Sequence, residues 1–202
     1  MTDLTKTAII ILAGGQSRRL GTSKQLLDMN GMPLLQRIIR EAASAAIGPV
    51  GVVTGAYTQE LLPIIEDEKA LPVQNNHWQE GMASSIRCGL EFMCARFPSL
   101  EAVFLLVSDQ PYIRSELLQQ MLRLQEEKNY SIVACSYSHT FGTPILIQRT
   151  HFDALHSLKG DTGARKICRQ YEQELGLVRF NEGAIDIDTR EDYEAFKNRR
   201  IC

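Results

Sequence analysis

Hydrophobic positions along this chain follow two rhythms that take turns. Thr7–Ala13 (TAIIILA) is a continuous apolar run rich in β-branched residues, the pattern of a strand buried on both faces. After a Gly-rich turn, Pro33 stands where a helix would begin, and Leu34, Leu35, Ile38, Ile39 and Ala42 recur at helical spacing. Val50–Thr54 predicts a second strand, 57–66 a helix weakened by Pro63, and Leu71–Gln74 a short strand. Ile86, Leu90, Cys94 and Phe97 mark another helix, which Pro98 ends. Residues 101–107 (EAVFLLV) predict a buried strand stopped by Asp109-Gln110-Pro111. Beyond it, 114–127 reads as a helix, 131–135 and 143–147 as strands, 152–158 and 163–173 as helices, 177–181 and 185–187 as strands, and 189–197 as a closing helix.

Alternation of buried strands with amphipathic helices predicts an α/β fold, a three-layer sandwich around a mostly parallel, Rossmann-like sheet. The alternation loosens after Tyr130, so some antiparallel strands are expected in the C-terminal part. No repeat or low-complexity segment interrupts the pattern, and 202 residues suit one domain spanning 1–202. Ligands of such sheets bind outside the carboxyl ends of the strands. Three segments end a strand with polar chemistry: 14–24, 108–111 and 186–189. If they sit at the same edge, they build one site.

Composition narrows the classes. Hydrophobic residues at 44% and charged residues at 23% fit an ordinary globule, and a net charge of -2 offers neither the basic excess of a nucleic-acid binder nor an acidic tail. The apolar run 8–13 is too short to span a bilayer, and 1–6 lacks the basic and apolar regions of a signal peptide. No membrane association and a cytoplasmic location are expected. Five cysteines, an odd count with no CxxC, predict reduced thiols, not disulfides or a zinc site. His77, His139, His151 and His156 show no ligand spacing.

The segment 12–24 (LAGGQSRRLGTSK) directly follows the first strand. Gly14 and Gly15 permit positive φ and close backbone approach, so N–H groups can converge on phosphate oxygens. Arg19 and Lys24 add positive charge suited to a triphosphate. The spacing fits neither a Walker A loop nor GxGxxG. Asp109, at the end of a buried strand, is costly without a partner, and a hard cation such as Mg²⁺ is a natural one. A helix N-cap is the other reading of Asp109. Asp186 and Asp188, in IDIDTRED, share a face by strand alternation, while Thr189 with Asp192 resembles a capping box. The small-residue loop 81–85 opens a helix whose free N–H groups and hydroxyls could hold a base or a phosphate, with capping as the alternative for Ser84 and Ser85. Trp78, the one tryptophan, reads as a packing residue.

Segment 12–24 resembles the signature loop LA[AG]GxSxRxGxxK of the nucleotidyltransferases that act on sugar 1-phosphates and cofactors. With KQLLDMNGMPLL (24–35), NNHWQEGMASSIRCG (75–89), SDQP (108–111) and KGDTGAR (159–165), the chain is similar to the molybdenum cofactor cytidylyltransferases from Thr7 to about Phe196. This resemblance implies a sheet of the nucleotide-diphospho-sugar transferase type. It implies catalytic roles for Arg19, Lys24 and Asp109, and a nucleotide site of Leu12, Ala13, Gly14, Gly15, Ser17, Lys24, Gly81, Ser84 and Ser85. Gly160, Asp161, Gly163 and Arg165 would line the acceptor side, with helix capping the alternative for Asp161. Mg²⁺ would sit on Asp109 with Asp186 or Asp188, the former slightly favoured.

The implied reaction moves CMP from CTP to a molybdopterin-type acceptor and releases pyrophosphate, with a molybdoenzyme as a downstream partner. The pair Gly14-Gly15 instead resembles guanylyl-transferring relatives, which keeps GTP open for the same cofactor, and nucleotidyl transfer to a sugar or polyol phosphate is a further alternative. Met29-Asn30 and Arg190 also depart from the family pattern, the latter replacing the proline of DIDTPED. An alternative of another class is a non-catalytic nucleotide-binding chaperone of a molybdoenzyme, against which the set Arg19, Lys24 and Asp109 argues.

Overall fold

The computed structural model describes residues 5–16, 22–187 and 189–198. In chain order they form β1 (Thr7–Ala13), α1 (Leu34–Ser44), β2 (Val50–Thr54), α2 (Thr58–Asp67), β3 (Leu71–Gln74), α3 (Met82–Arg96), β4 (Ala102–Val107), α4 (Ser115–Lys128), β5 (Ile132–Tyr137), β6 (Thr140–Gln148), α5 (Phe152–His156), α6 (Arg165–Gln170), β7 (Leu175–Arg179) and α7 (Arg190–Asn198). The seven strands make one sheet in the order β3-β2-β1-β4-β6-β5-β7. β1 runs parallel to both β2 and β4, β2 to β3, and β5 to β7. β6 runs against both its neighbours, β4 and β5. The fold is therefore α/β and mostly parallel, with the reversed strand in the C-terminal half where the alternation loosens.

Alternating side chains of the central strands divide the core in two. Ile9 and Ile11 of β1, with Phe104 and Leu106 of β4, pack beneath α1, α2 and α4 through residues such as Leu35, Ile38, Leu61 and Leu118. Ala8 and Ile10, with Val103 and Leu105, pack beneath α3, α5 and α6 through Ile86, Leu90, Leu155 and Ile167. A strand sandwiched this way must be apolar on both faces, which is why β1 and β4 read as unbroken hydrophobic runs. β6 reverses because Ser138 and His139 both take left-handed φ, 46° and 61°, making the two-residue turn of a tight hairpin.

One predicted strand does not form. Residues 185–187 alternate like a strand, but Ile185 N–H bonds Glu182 O at 3.0 Å and Ile187 N–H bonds Asp109 O at 3.1 Å, so their donors never join a ladder. The predicted capping box does form: Thr189 N–H bonds Asp192 Oδ2 at 2.8 Å and Asp192 N–H bonds Thr189 Oγ1 at 3.2 Å. Cys88, Cys94, Cys135 and Cys168 are free thiols, and Cys202 lies outside the described residues. Burial pushes the Cys135 and Cys168 thiols up to about 12, so both stay protonated and unreactive. Among the described residues, no helix is long and apolar enough to cross a membrane.

Candidate active site

β1 delivers Gly14, Gly15 and Gln16 to the carboxyl edge of the sheet. Two bonds tie this exit to the turn after β2: Ala56 N–H to Gly14 O at 3.3 Å and the Tyr57 hydroxyl to Gln16 O at 2.8 Å. Ser17 and Arg19, the other expected members of the loop, lie outside the described residues. The chain is described again from Thr22 and makes a single 3₁₀ turn at Lys24–Leu26. Gln25 inside that turn is completely buried. Its Nε2 donates to Ala13 O and to Ser108 Oγ, each at 3.3 Å, and its Oε1 accepts from Ser23 Oγ at 2.8 Å. One side chain thus pins the turn to the ends of β1 and β4 together and sets the position of Lys24. Sequence reasoning missed Gln25, because a glutamine between a lysine and two leucines carries no signal of burial.

Lys24 Nζ meets Asp109 Oδ2 at 2.5 Å, with the two side chains only 15% and 21% exposed. Asp109 is not a helix cap. α4 starts at Ser115, whose N–H is taken by the Glu41 carboxylate at 3.0 Å. Asp109 Oδ1 is buried and has no hydrogen-bond partner among the described residues. An orphaned, buried carboxylate oxygen beside an ion pair has the chemistry of a position that receives a cation. The bond from Ile187 N–H to Asp109 O holds the segment bearing Asp186 against the Asp109 turn, but Asp186 lines neither cleft and its charge acts on Tyr137, while Asp188 lies outside the described residues. Arg37 Nε on α1 bonds Pro111 O at 3.0 Å and braces the turn from below.

Facing Asp109 across the edge is the start of α3. Asn75 organises it: its Nδ2 donates to Ser84 Oγ at 2.9 Å and Ser85 Oγ at 3.1 Å, and its Oδ1 accepts from His77 N–H at 2.9 Å. The Ser84 hydroxyl is committed to the main chain, at His77 O and Gly81 O, and so is structural. Ser85 lines the cleft, and a Cβ on Gly14 would lie only 3.0 Å from its hydroxyl.

Gly81 is held at φ 101°, where a Cβ would fall 2.5 Å from both Asp161 Oδ1 and the Gly160 carbonyl carbon. Ala83 N–H bonds Gly160 O at 3.0 Å across the same contact. The motifs at 75–89 and 159–165 are therefore one docked unit. Gly81→Ala should lower stability by about 2 kcal/mol or more, from left-handed backbone plus the clash. Urea unfolding checks this, and a loss under about 0.5 kcal/mol would mean the contact is soft.

Two clefts open along this edge and share Met82, Val107 and Asp161. The larger, about 450 Å³, is lined by Leu12, Gly14, Gly15, Lys24, Ser85 and Asp109, among others. The smaller, about 320 Å³, is lined by Gly142, Thr143, Gly163 and Arg165. Asp161 does not cap α6, which begins four residues later at Arg165 without a side-chain cap. Gly160, Ser84 and Ala13 support the clefts without lining them. Behind the smaller cleft, burial pushes the Tyr137 phenol up and the neighbouring Arg165 guanidinium pulls it partly back. Gln110 Nε2 bonds Gly183 O at 2.8 Å and ties the segment bearing Asp186 to the Asp109 turn.

The model of the MobA-like NTP transferase domain matches residues 9–175. The chain is 28% identical over 196 residues to the purine catabolism protein PucB of Bacillus subtilis, covering 92% of this chain and 93% of that one. It is 27% identical over 138 residues to a probable molybdenum cofactor guanylyltransferase of Natranaerobius thermophilus, covering 66% of this chain and 60% of the relative. The crystal structure of Rv0371c from Mycobacterium tuberculosis H37Rv superposes with a TM-score of 0.81 at 26% identity, over 96% of this chain and 98% of that one.

Proposed function

Since this chain belongs to the MobA-like NTP transferase family, we propose that its nucleotidyltransferase activity transfers CMP from CTP to a molybdopterin-type acceptor and releases pyrophosphate. The observation that carries this reading is the pair of joined clefts, with the Lys24–Asp109 ion pair in one and Arg165 in the other. A nucleotide and a phosphorylated acceptor can be held end to end, with the Asp161 wall common to both. The segments 75–89 and 159–165 support CTP over other nucleotides by resemblance. The pair Gly14-Gly15 and the name of the Natranaerobius relative favour GTP as the second reading.

The acceptor phosphate is already ionised, so transfer needs no side-chain base. Catalysis rests on orientation and charge neutralisation at the α-phosphorus. Backbone N–H groups of the loop at Gly14 and Gly15 meet phosphate oxygens, and Lys24, with Arg19, neutralises the departing pyrophosphate. Arg165 and Asp161 orient the acceptor. The buried, orphaned Oδ1 of Asp109 fits a hard divalent cation, so Asp109 with Asp186 or Asp188 would hold Mg²⁺, which supplies further charge neutralisation when bound. The single unit spanning 1–202 works in the cytoplasm and hands its product to a molybdoenzyme. The name of the Bacillus relative supports one acting in purine breakdown.

Pyrophosphate release from CTP, GTP, ATP and UTP, with Mg²⁺ and molybdopterin-type cofactor, tests the assignment. Release with CTP at least ten times faster than with GTP is expected. Release from GTP alone would move the enzyme to guanylyl transfer. NTP binding without release from any nucleotide would favour a chaperone role.

A further inference from the structure

Trp78 sits where a nucleotide-binding wall would be needed and where packing does not explain it. The indole belongs to neither of the two apolar layers that flank the sheet. It lines the larger cleft with Gly14, Gly15 and Ser85 and does not line the smaller one. Its backbone is fixed within a 3₁₀ turn, Trp78–Glu80, closed by Gly81 N–H to Trp78 O at 3.2 Å. Asn75 anchors that turn to β2 through Thr54 O at 3.0 Å and to His77 N–H at 2.9 Å.

Gly55 is the other half of the arrangement. A Cβ there would fall 2.5 Å from Gly14 O and within 2.7 to 2.8 Å of Trp78 Cβ and Cγ. Only glycine lets the tryptophan come in against the β2 exit. The side chain is therefore backed by main chain on one side and faces open cleft on the other. Phosphates are assigned to Gly14, Gly15, Lys24 and Asp109, which leaves the Trp78 side of the same cleft to the base.

We propose that Trp78 is the wall against which the nucleobase stacks. A flat aromatic platform binds any base face, so the wall supplies affinity for the base end of the nucleotide and leaves the choice of base to the polar groups around it. This rests on the larger cleft being the nucleotide site.

Since Trp78 is the one tryptophan of the chain, its fluorescence reports the site directly. CTP and CMP should quench it saturably, and inorganic pyrophosphate should not. Trp78→Ala should weaken CTP and CMP binding by roughly tenfold and leave pyrophosphate binding unchanged. Trp78→Phe should keep most of the affinity. Equal quenching by pyrophosphate, or an unchanged CTP affinity in Trp78→Ala, overturns the proposal. A wild-type preference for GTP would instead sink the CTP assignment, while a roughly tenfold weaker GTP affinity in Trp78→Ala would still support the wall. The quenching and binding measurements need no acceptor, so they stand apart from whether a molybdopterin is the true substrate.

Discussion

Asp109→Ala should cut pyrophosphate release by at least about 10²–10³-fold while leaving the folded protein intact. The expected loss is the scale of one preorganised electrostatic group at a reacting centre, roughly 3–4 kcal/mol. Folding should tolerate the change because the side chain caps no helix. The bond that Asp109 makes to Ile187 uses its main-chain oxygen and survives truncation. Removing Oδ1 even deletes a buried acceptor that has no partner among the described residues. Asp109→Asn keeps the shape and loses the charge, and should be nearly as inactive. Initial rates beside thermal melting curves decide the matter. A loss of less than tenfold with an unchanged melting temperature would remove Asp109 from the chemistry.

Lys24→Met should lower kcat/KM for the nucleotide by about 10²-fold or more, and Lys24→Arg should not restore it. The ammonium meets one carboxylate oxygen as a point charge at 2.5 Å, whereas a guanidinium presents its donors as a longer planar fork. Like the change at Asp109, which strands the Lys24 ammonium, this one leaves a mostly buried charge without its partner, so stability should fall by about 1–2 kcal/mol in either variant, discounted for the exposure that remains. If the two residues act as a unit, the double variant should lose scarcely more activity than the worse single one. Additive losses would mean that each works on a different part of the reaction.

Much of the architecture was legible because buried parallel strands declare themselves as apolar runs. β1, β2 and β3 begin and end where the pattern puts them. Of the three polar strand exits, 14–24 and 108–111 share a cleft through Gly14, Lys24 and Asp109, while 186–189 lines neither cleft among the described residues and reaches the edge only through Ile187 N–H to Asp109 O. Periodicity failed at 185–187, where the alternation was genuine but its donors found Asp109 and Glu182 instead of a neighbouring strand. Gln25, Asn75 and Gly55 were invisible for a common reason. Gln25 and Gly55 act by touching residues far along the chain and Asn75 by bonding the hydroxyls of Ser84 and Ser85 across a turn, and neither composition nor spacing encodes such contacts. Ser84 and Ser85 look alike in sequence, and only the network around Asn75 separates a structural hydroxyl from one that faces the cleft. Trp78 was read as packing because most tryptophans pack, and its neighbour Gly55 gave no hint until the two were seen in contact.

The reversed strand has a consequence for how the molecule can change. β6 enters the sheet at the edge where β1 and β4 leave it, so Gly142 and Thr143 of an incoming strand wall the smaller cleft. The hairpin turn that starts β6 is only Ser138 and His139, both turned left-handed and partly or fully open to water. Residues added at that turn would extend outward and leave the strand registers untouched. The wall of the smaller cleft can thus be rebuilt without disturbing the larger one. If the proposed assignment of the two clefts holds, a fold wired this way can keep one leaving group and one set of charges while trading acceptors, as a tool holder keeps its grip while the bit is changed.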